Sequence, residues 1–110
     1  MTSFWFCFRT QTCERRSGGP ALVVQADDLG ADLPQTIVAM ITSNLARAGH
    51  PSRVVVRVDG ENAKGSGLLM DSVIMTDNLA TIHYSEIDRV IGALTGLREL
   101  DAALRTTLAL

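Results

Sequence analysis

A few residues of this 110-residue chain have side chains suited to chemistry, and their spacing limits what that chemistry can be. His50 and His83 are the side chains that exchange protons near neutral pH. Arg47, Arg53, Arg57 and Lys64, with His50 among them, form the densest basic stretch and suit a phosphate-bearing partner. Thr42 carries a hydroxyl at the end of an apolar run, and Asp77 a carboxylate in a comparable place. Taken singly, each has an ordinary reading too: a threonine bonding local backbone, an aspartate closing a turn, a solvated basic face. Cys7 and Cys13 have no second pair to complete a zinc site, and read as reduced structural thiols.

The charge balance sharpens this. Net charge is −2, which argues against a generic nucleic-acid binder. The distribution is uneven, however. Residues 1–66 hold seven Arg/Lys against six Asp/Glu, and residues 67–110 hold three against six. With 46% hydrophobic and 20% charged residues, the chain reads as one globular domain spanning 1–110. No apolar run approaches the ~20 residues that cross a bilayer, and Phe4-Trp-Phe-Cys-Phe8 is too short for a signal-peptide core. The expectation is a cytoplasmic protein that does not engage a membrane.

The elements that must position these residues are mostly strands. Residues 4–8 are dense in β-formers, and a polar stretch over 9–19 ends in the turn signal Ser17-Gly-Gly-Pro20. Runs at 21–25, 36–41, 53–58 and 71–76 follow, with a further short strand at Thr81-Ile82 and a last one over 88–91. The run at 36–41 is apolar on both faces and should be central. Residues 43–50 allow a helical turn that Gly49, His50 and Pro51 cut short, and Asn62 to Gly67 reads as a mobile loop. Leu97, Leu100, Leu104 and Leu108 then recur at helical spacing, with Thr95 as N-cap. Five or six short strands and one amphipathic helix predict a mostly β protein, a compact barrel with the C-terminal helix packed on it.

Three segments carry a resemblance. Pro20-Ala-Leu-Val-Val-Gln25, Thr36-Ile-Val-Ala-Met-Ile-Thr-Ser43 and Asp71-Ser-Val-Ile-Met-Thr-Asp-Asn-Leu-Ala-Thr-Ile82 resemble, in order and spacing, the MazF/PemK toxins, small ribonucleases of bacterial toxin–antitoxin systems. The resemblance covers roughly residues 20–110. It implies an SH3-like barrel, a symmetric homodimer, inhibition by a cognate antitoxin protein, and sequence-selective cleavage of single-stranded RNA without a metal or other cofactor.

Such cleavage needs a proton taken from a ribose 2′-hydroxyl, a proton given to the departing oxygen, and an offset for the charge on phosphorus. The family supplies an arginine just before the Pro-x-Leu-Val-Val strand and a hydroxyl ending the Ile-Thr-Ser strand. Thr42 matches that hydroxyl, with Ser43 beside it. Asp77 falls where some members place an acidic residue that accepts a proton or holds an active arginine, and Asn78 stands as a reader of unpaired bases. Gly19, before Pro20, takes the place of the arginine. Met75 and Ala80 also stand where arginines occur in relatives, and His83 where an acidic residue is common. Arg15 or Arg16 is the expected substitute cation, folding back over Thr42. Gly19, Pro20, Ser43, Asn78, Arg47, His50 and Arg53 complete the expected RNA contacts. The resemblance therefore leaves two readings: an active endoribonuclease, or a relative that binds antitoxin or RNA without cutting. Inhibition of a topoisomerase, seen in related toxins of this fold, is a weaker third.

Overall fold

The computed structural model describes residues 11–15, 18–25, 34–94 and 98–110. The strand expected over residues 4–8, Cys7, Arg16, the loop at 27–33, Thr95 and Leu97 lie outside the described residues. Six strands form one antiparallel sheet: β1 Gln11–Arg15, β2 Pro20–Val23, β3 Gln35–Thr42, β4 Arg53–Val56, β5 Ser72–His83 and β6 Ile87–Ala93. Their order across the sheet is β4-β5-β3-β2-β1-β6. The 36–41 run is central as expected, lying between β5 and β2. The helix α1, Arg98–Leu108, follows the last strand.

Alternation along each strand sorts side chains between two faces. Ala39 and Ile41 of β3, Val54 and Val56 of β4, and Ile74 of β5 point to one side, where α1 closes a core through Leu100 and Ala103. Val38 of β3, with Cys13, Ala21 and Ile82, makes a smaller cluster on the other side, against which Met40 packs. Leu100 is buried while Leu108 is half exposed, so the leucine stripe covers the sheet over its first turns only.

Four local expectations need correcting. Residues 11–15, expected within a polar connection, form strand β1, because Thr12 and Cys13 both find buried positions between β2 and β6. The strand expected over 53–58 stops at Val56, because a turn closed by Gly60 N–H on the Arg57 carbonyl at 2.9 Å takes over. The two strands expected at 71–76 and 81–82 are one continuous strand, β5. It reads as two because Ala39 pairs with Leu79 while Met40 pairs with Met75, leaving Thr76, Asp77 and Asn78 without β3 partners. A bulge of this kind breaks the period-two pattern without ending the strand.

The loop expected to be mobile at 62–67 is a packed plug. Ala63 and Ser66 are buried, the Thr12 hydroxyl donates to the Ser66 carbonyl at 2.8 Å, and Ala93 N–H donates to the Gly65 carbonyl at 2.9 Å. A Cβ on Gly92 would run into the Gly65 and Ser66 carbonyls, and one on Gly67 into the Ile91 backbone. Gly67 also adopts φ +77°, a conformation that side chains disfavour. This segment packs on β1 and β6, at one edge of a sheet that is barrel-like without being closed.

Candidate functional site

The sheet face opposite α1 gathers the chemically capable residues. Strand register places Arg53, Met75, Met40, Ala21 and Cys13 directly across from one another in one row. Thr42 pairs with Val73, and Val73 with Val55, in the next row. Continuing the β2–β3 register by two residues sets Gly19 opposite Thr42. Arg15 in turn meets Gly19 through a backbone bond of 3.4 Å from its N–H to the Gly19 carbonyl. Arg15, Gly19 and Thr42 therefore share a row.

The Arg15 side chain crosses β2. Its Nη1 lies 3.0 Å from the Met40 sulfur on β3, and 3.9 Å from where a Cβ of Gly18 would stand. Met40 and Thr42 sit on one face, about 7 Å apart along the strand. The Arg15 Nε is buried with no hydrogen-bond partner. A thioether is a weak acceptor, so this guanidinium is desolvated on one side and faces no carboxylate among the described residues. Such a cation is suited to receive an anion. A Cβ on Gly19 would meet nothing within 4 Å, so the space beside Arg15 in this row is open.

Thr42, half-buried at the end of β3, accepts the Asn44 N–H through Oγ1 at 3.1 Å. The local backbone bond expected of a strand-end threonine is therefore present, yet it uses a lone pair and leaves the hydroxyl proton to be donated. Ser43 is exposed beside it, and Asn44 caps the short turn Leu45–Arg47 through Ala46 N–H at 3.1 Å.

The bulge holds the other half of the face. Arg53 Nε and Nη2 each lie 2.8 Å from one Asp77 carboxylate oxygen, a two-pronged ion pair. Arg53 Nη1 also donates to the Arg47 carbonyl at 2.7 Å. The Arg53 hydrogen bonds hold the Asp77 carboxyl below the usual carboxylate value, with smaller contributions from its own backbone, the Arg53 charge and His50. The Arg53 guanidinium is raised in return, chiefly by the same bonds. With both oxygens occupied, Asp77 is a poor proton acceptor and a good holder of an arginine. Asn78, next along, is exposed and makes no side-chain hydrogen bond among the described residues. By strand spacing, the Cα atoms of Thr42 and Arg53 stand about 12 Å apart across β5.

His50 accepts the Ser52 N–H at Nδ1 (3.1 Å) and lies 2.7 Å from the Ser52 hydroxyl. His83 repeats this geometry with Ser85, at 3.1 and 2.8 Å. The repetition marks a local His-x-Ser turn, and the buried Ser52 is not a nucleophile. Nε2 of His50 is left to face outward. The basic stretch is largely neutralised, since Arg53 pairs with Asp77, Arg57 with Asp71 at 3.5 Å, and Lys64 with Glu61 at 3.1 Å. Arg47 is the one of its four cations without an ion pair among the described residues. Cys13 is a free, buried thiol, held protonated by burial against a smaller opposing pull from Arg15. Among the described residues no group of three or more His, Cys, Asp or Glu side chains could hold a metal ion.

Of the residues expected at a site, the structure brings Arg15, Gly19 and Thr42 together on one side of the face, and Arg47, His50, Arg53, Asp77 and Asn78 on the other; Pro20, opposite Ile41 by register, points instead to the side of the core. Met40, on which Arg15 rests, escaped the sequence reading. Its spacing two residues before Thr42 on a strand was the available signal.

Comparison with known proteins follows the same lines. A family model described as a PemK-like, MazF-like toxin of type II toxin–antitoxin systems matches residues 4–108. Among solved structures, the Mycobacterium tuberculosis toxin MazF-mt6 is 26% identical, with TM-score 0.73 over 93% of this chain and 98% of that one. An endoribonuclease from a mycobacterial species superposes with TM-score 0.75 at 20% identity, over 96% of this chain and 93% of that one. A MazE–MazF structure from Deinococcus radiodurans gives TM-score 0.66 at 16% identity, covering 94% of each chain. No curated protein sequence matches.

Proposed function

Because the chain belongs to the PemK-like, MazF-like toxins of type II toxin–antitoxin systems, we propose that it is an endoribonuclease that cleaves single-stranded RNA at selected sequences without a metal. The observation that carries this is the Arg15 guanidinium. It spans β2 to reach Met40, one same-face step from Thr42, with an orphaned N–H and no carboxylate partner among the described residues. Arg15 offsets charge on the scissile phosphate, and the free proton of the Thr42 hydroxyl is donated to a non-bridging oxygen. Holding the phosphate between these two groups supplies orientation as well as charge. Asp77 keeps Arg53 and the bulge in place rather than taking the proton; solvent water accepts the 2′-hydroxyl proton and supplies one to the departing 5′-oxygen.

The natural partners under this reading are single-stranded RNA and a cognate antitoxin protein, with the chain acting as a homodimer in the cytoplasm. One of the solved relatives is an endoribonuclease in complex with its cognate antitoxin, which supports the antitoxin. The test is purified protein incubated with a long single-stranded RNA in the presence of chelator. Discrete fragments that vanish in Thr42→Ala are expected. RNA left intact at high protein concentration would select the second reading, a member that binds antitoxin or RNA without cutting. Gly19, which leaves the family's arginine position without a cation, favours that second reading.

A further inference from the structure

One buried hydroxyl lies beneath the bulge that carries Asp77 and Asn78. Thr76 is fully buried at the base of the bulge, one residue past Met75, where the backbone pairing of β5 with β4 ends. The Ser52 carbonyl accepts both its N–H at 3.0 Å and its hydroxyl proton at 2.6 Å. The Thr107 hydroxyl of α1 lies 2.8 Å from Thr76 Oγ1, a hydroxyl–hydroxyl hydrogen bond. The Ala103 carbonyl of the same helix lies 3.3 Å from Thr76 Oγ1. Ser52 precedes Arg53 and Thr76 precedes Asp77, so the two hydrogen bonds from Thr76 to the Ser52 carbonyl set the diagonal across which Arg53 grips Asp77. Asn78 follows immediately, exposed and with its amide uncommitted among the described residues.

From this geometry we infer that Thr76 is a positioning residue for base selection. It ties the bulge to α1 from below, as the Arg53–Asp77 pair ties it from above, and the two together fix where the Asn78 amide meets an unpaired base. An amide reads a base by donors and acceptors on its edge, so an offset of about 1 Å degrades discrimination before it degrades phosphate binding. Thr42 and Arg15, on the far side of β5, do not depend on this tie. The inference rests on the RNA-cleaving reading above.

The test compares wild type, Thr76→Val, Thr76→Ser and Thr107→Val on a pool of random-sequence single-stranded RNA, reading both cut sites and the sequences retained by binding. Thr76→Val keeps shape and removes the hydroxyl. It should lower discrimination between the best site and its single-base variants about tenfold while cutting the best site within about threefold of wild type. Thr76→Ser should restore the wild-type preference, and Thr107→Val should give a smaller loss of discrimination in a chain that still folds. Unchanged discrimination in Thr76→Val, or in Thr107→Val if the former does not fold, with only a lower melting temperature, would overturn the inference. Wild type that binds selected sequences without cutting sinks the nuclease reading alone, and the bound sequences still decide on Thr76. Wild type that retains no RNA overturns both.

Discussion

Arg15 gives the working face its character. A guanidinium that rests on a sulfur and hides an unbonded N–H is stabilised by whatever anion arrives. Arg15→Ala should therefore lower RNA cleavage by at least ~10²-fold, the usual cost of losing one charge-stabilising donor. Position 19 is open and shares the row, so Gly19→Arg should fold normally, raise cleavage, and compensate for Arg15→Ala in the double variant. Fragment yield from a long RNA measures all three, and an Arg15→Ala variant that cuts like wild type would remove Arg15 from the reaction. Asp77 answers to pH. Its carboxyl titrates below the usual value of ~3.9, so its pairing with Arg53 favours the folded state above that pH and is lost as pH falls through the lower folded value. Arg53→Gln should bring the Asp77 titration back up toward ~3.9, seen by carboxyl-carbon NMR. No movement would mean another group holds it down.

At the scale of elements, the helix and the plug carry the barrel. Leu100 is buried against the sheet, whereas Leu108, on the same predicted stripe, is half exposed. Leu100→Ala should cost ~2–5 kcal/mol of stability, and Leu108→Ala less than ~0.5 kcal/mol, in denaturant titrations. The plug predicts a second asymmetry. Gly92→Ala should destabilise by ~1–3 kcal/mol, because the added carbon meets the Gly65 and Ser66 carbonyls, while Gly19→Ala should be close to neutral. Equal effects at the two glycines would mean that the 61–68 segment does not pack on β6. Strand positions were readable where apolar runs were unbroken, as at 36–41. They were misread where a polar strand, β1, is buried by its neighbours, and where a bulge splits β5 into apparent fragments.

For the whole molecule, the face that holds Arg15 and Thr42 is short, only a few strands wide, and a homodimer would double it along the path of an RNA strand. The corresponding expectation is a two-chain mass by light scattering and a melting temperature that rises with protein concentration. A one-chain mass at high concentration would count against the assembly. The net charge of −2, together with the ion pairs that neutralise most of the 47–64 basic stretch, also predicts weak binding to duplex or non-specific RNA, with a shallow salt dependence. A steep salt dependence would mean that more cations reach phosphate than Arg15 and Arg47.

Local chemistry was written along the chain. Apolar runs specified strands, leucine spacing specified the helix, and three motif segments specified the family, because each of these depends on neighbours within a few residues. Thr42 and Asp77 could be named from those motifs alone. What the chain did not disclose was partnership across strands: that Arg15 reaches across β2 to a methionine, that Asp77 spends both oxygens on Arg53, and that Ser66 packs against Thr12. Those contacts join residues 24 to 54 positions apart, and only the register of six strands, fixed by burying one face of the sheet, brings them within reach of one another.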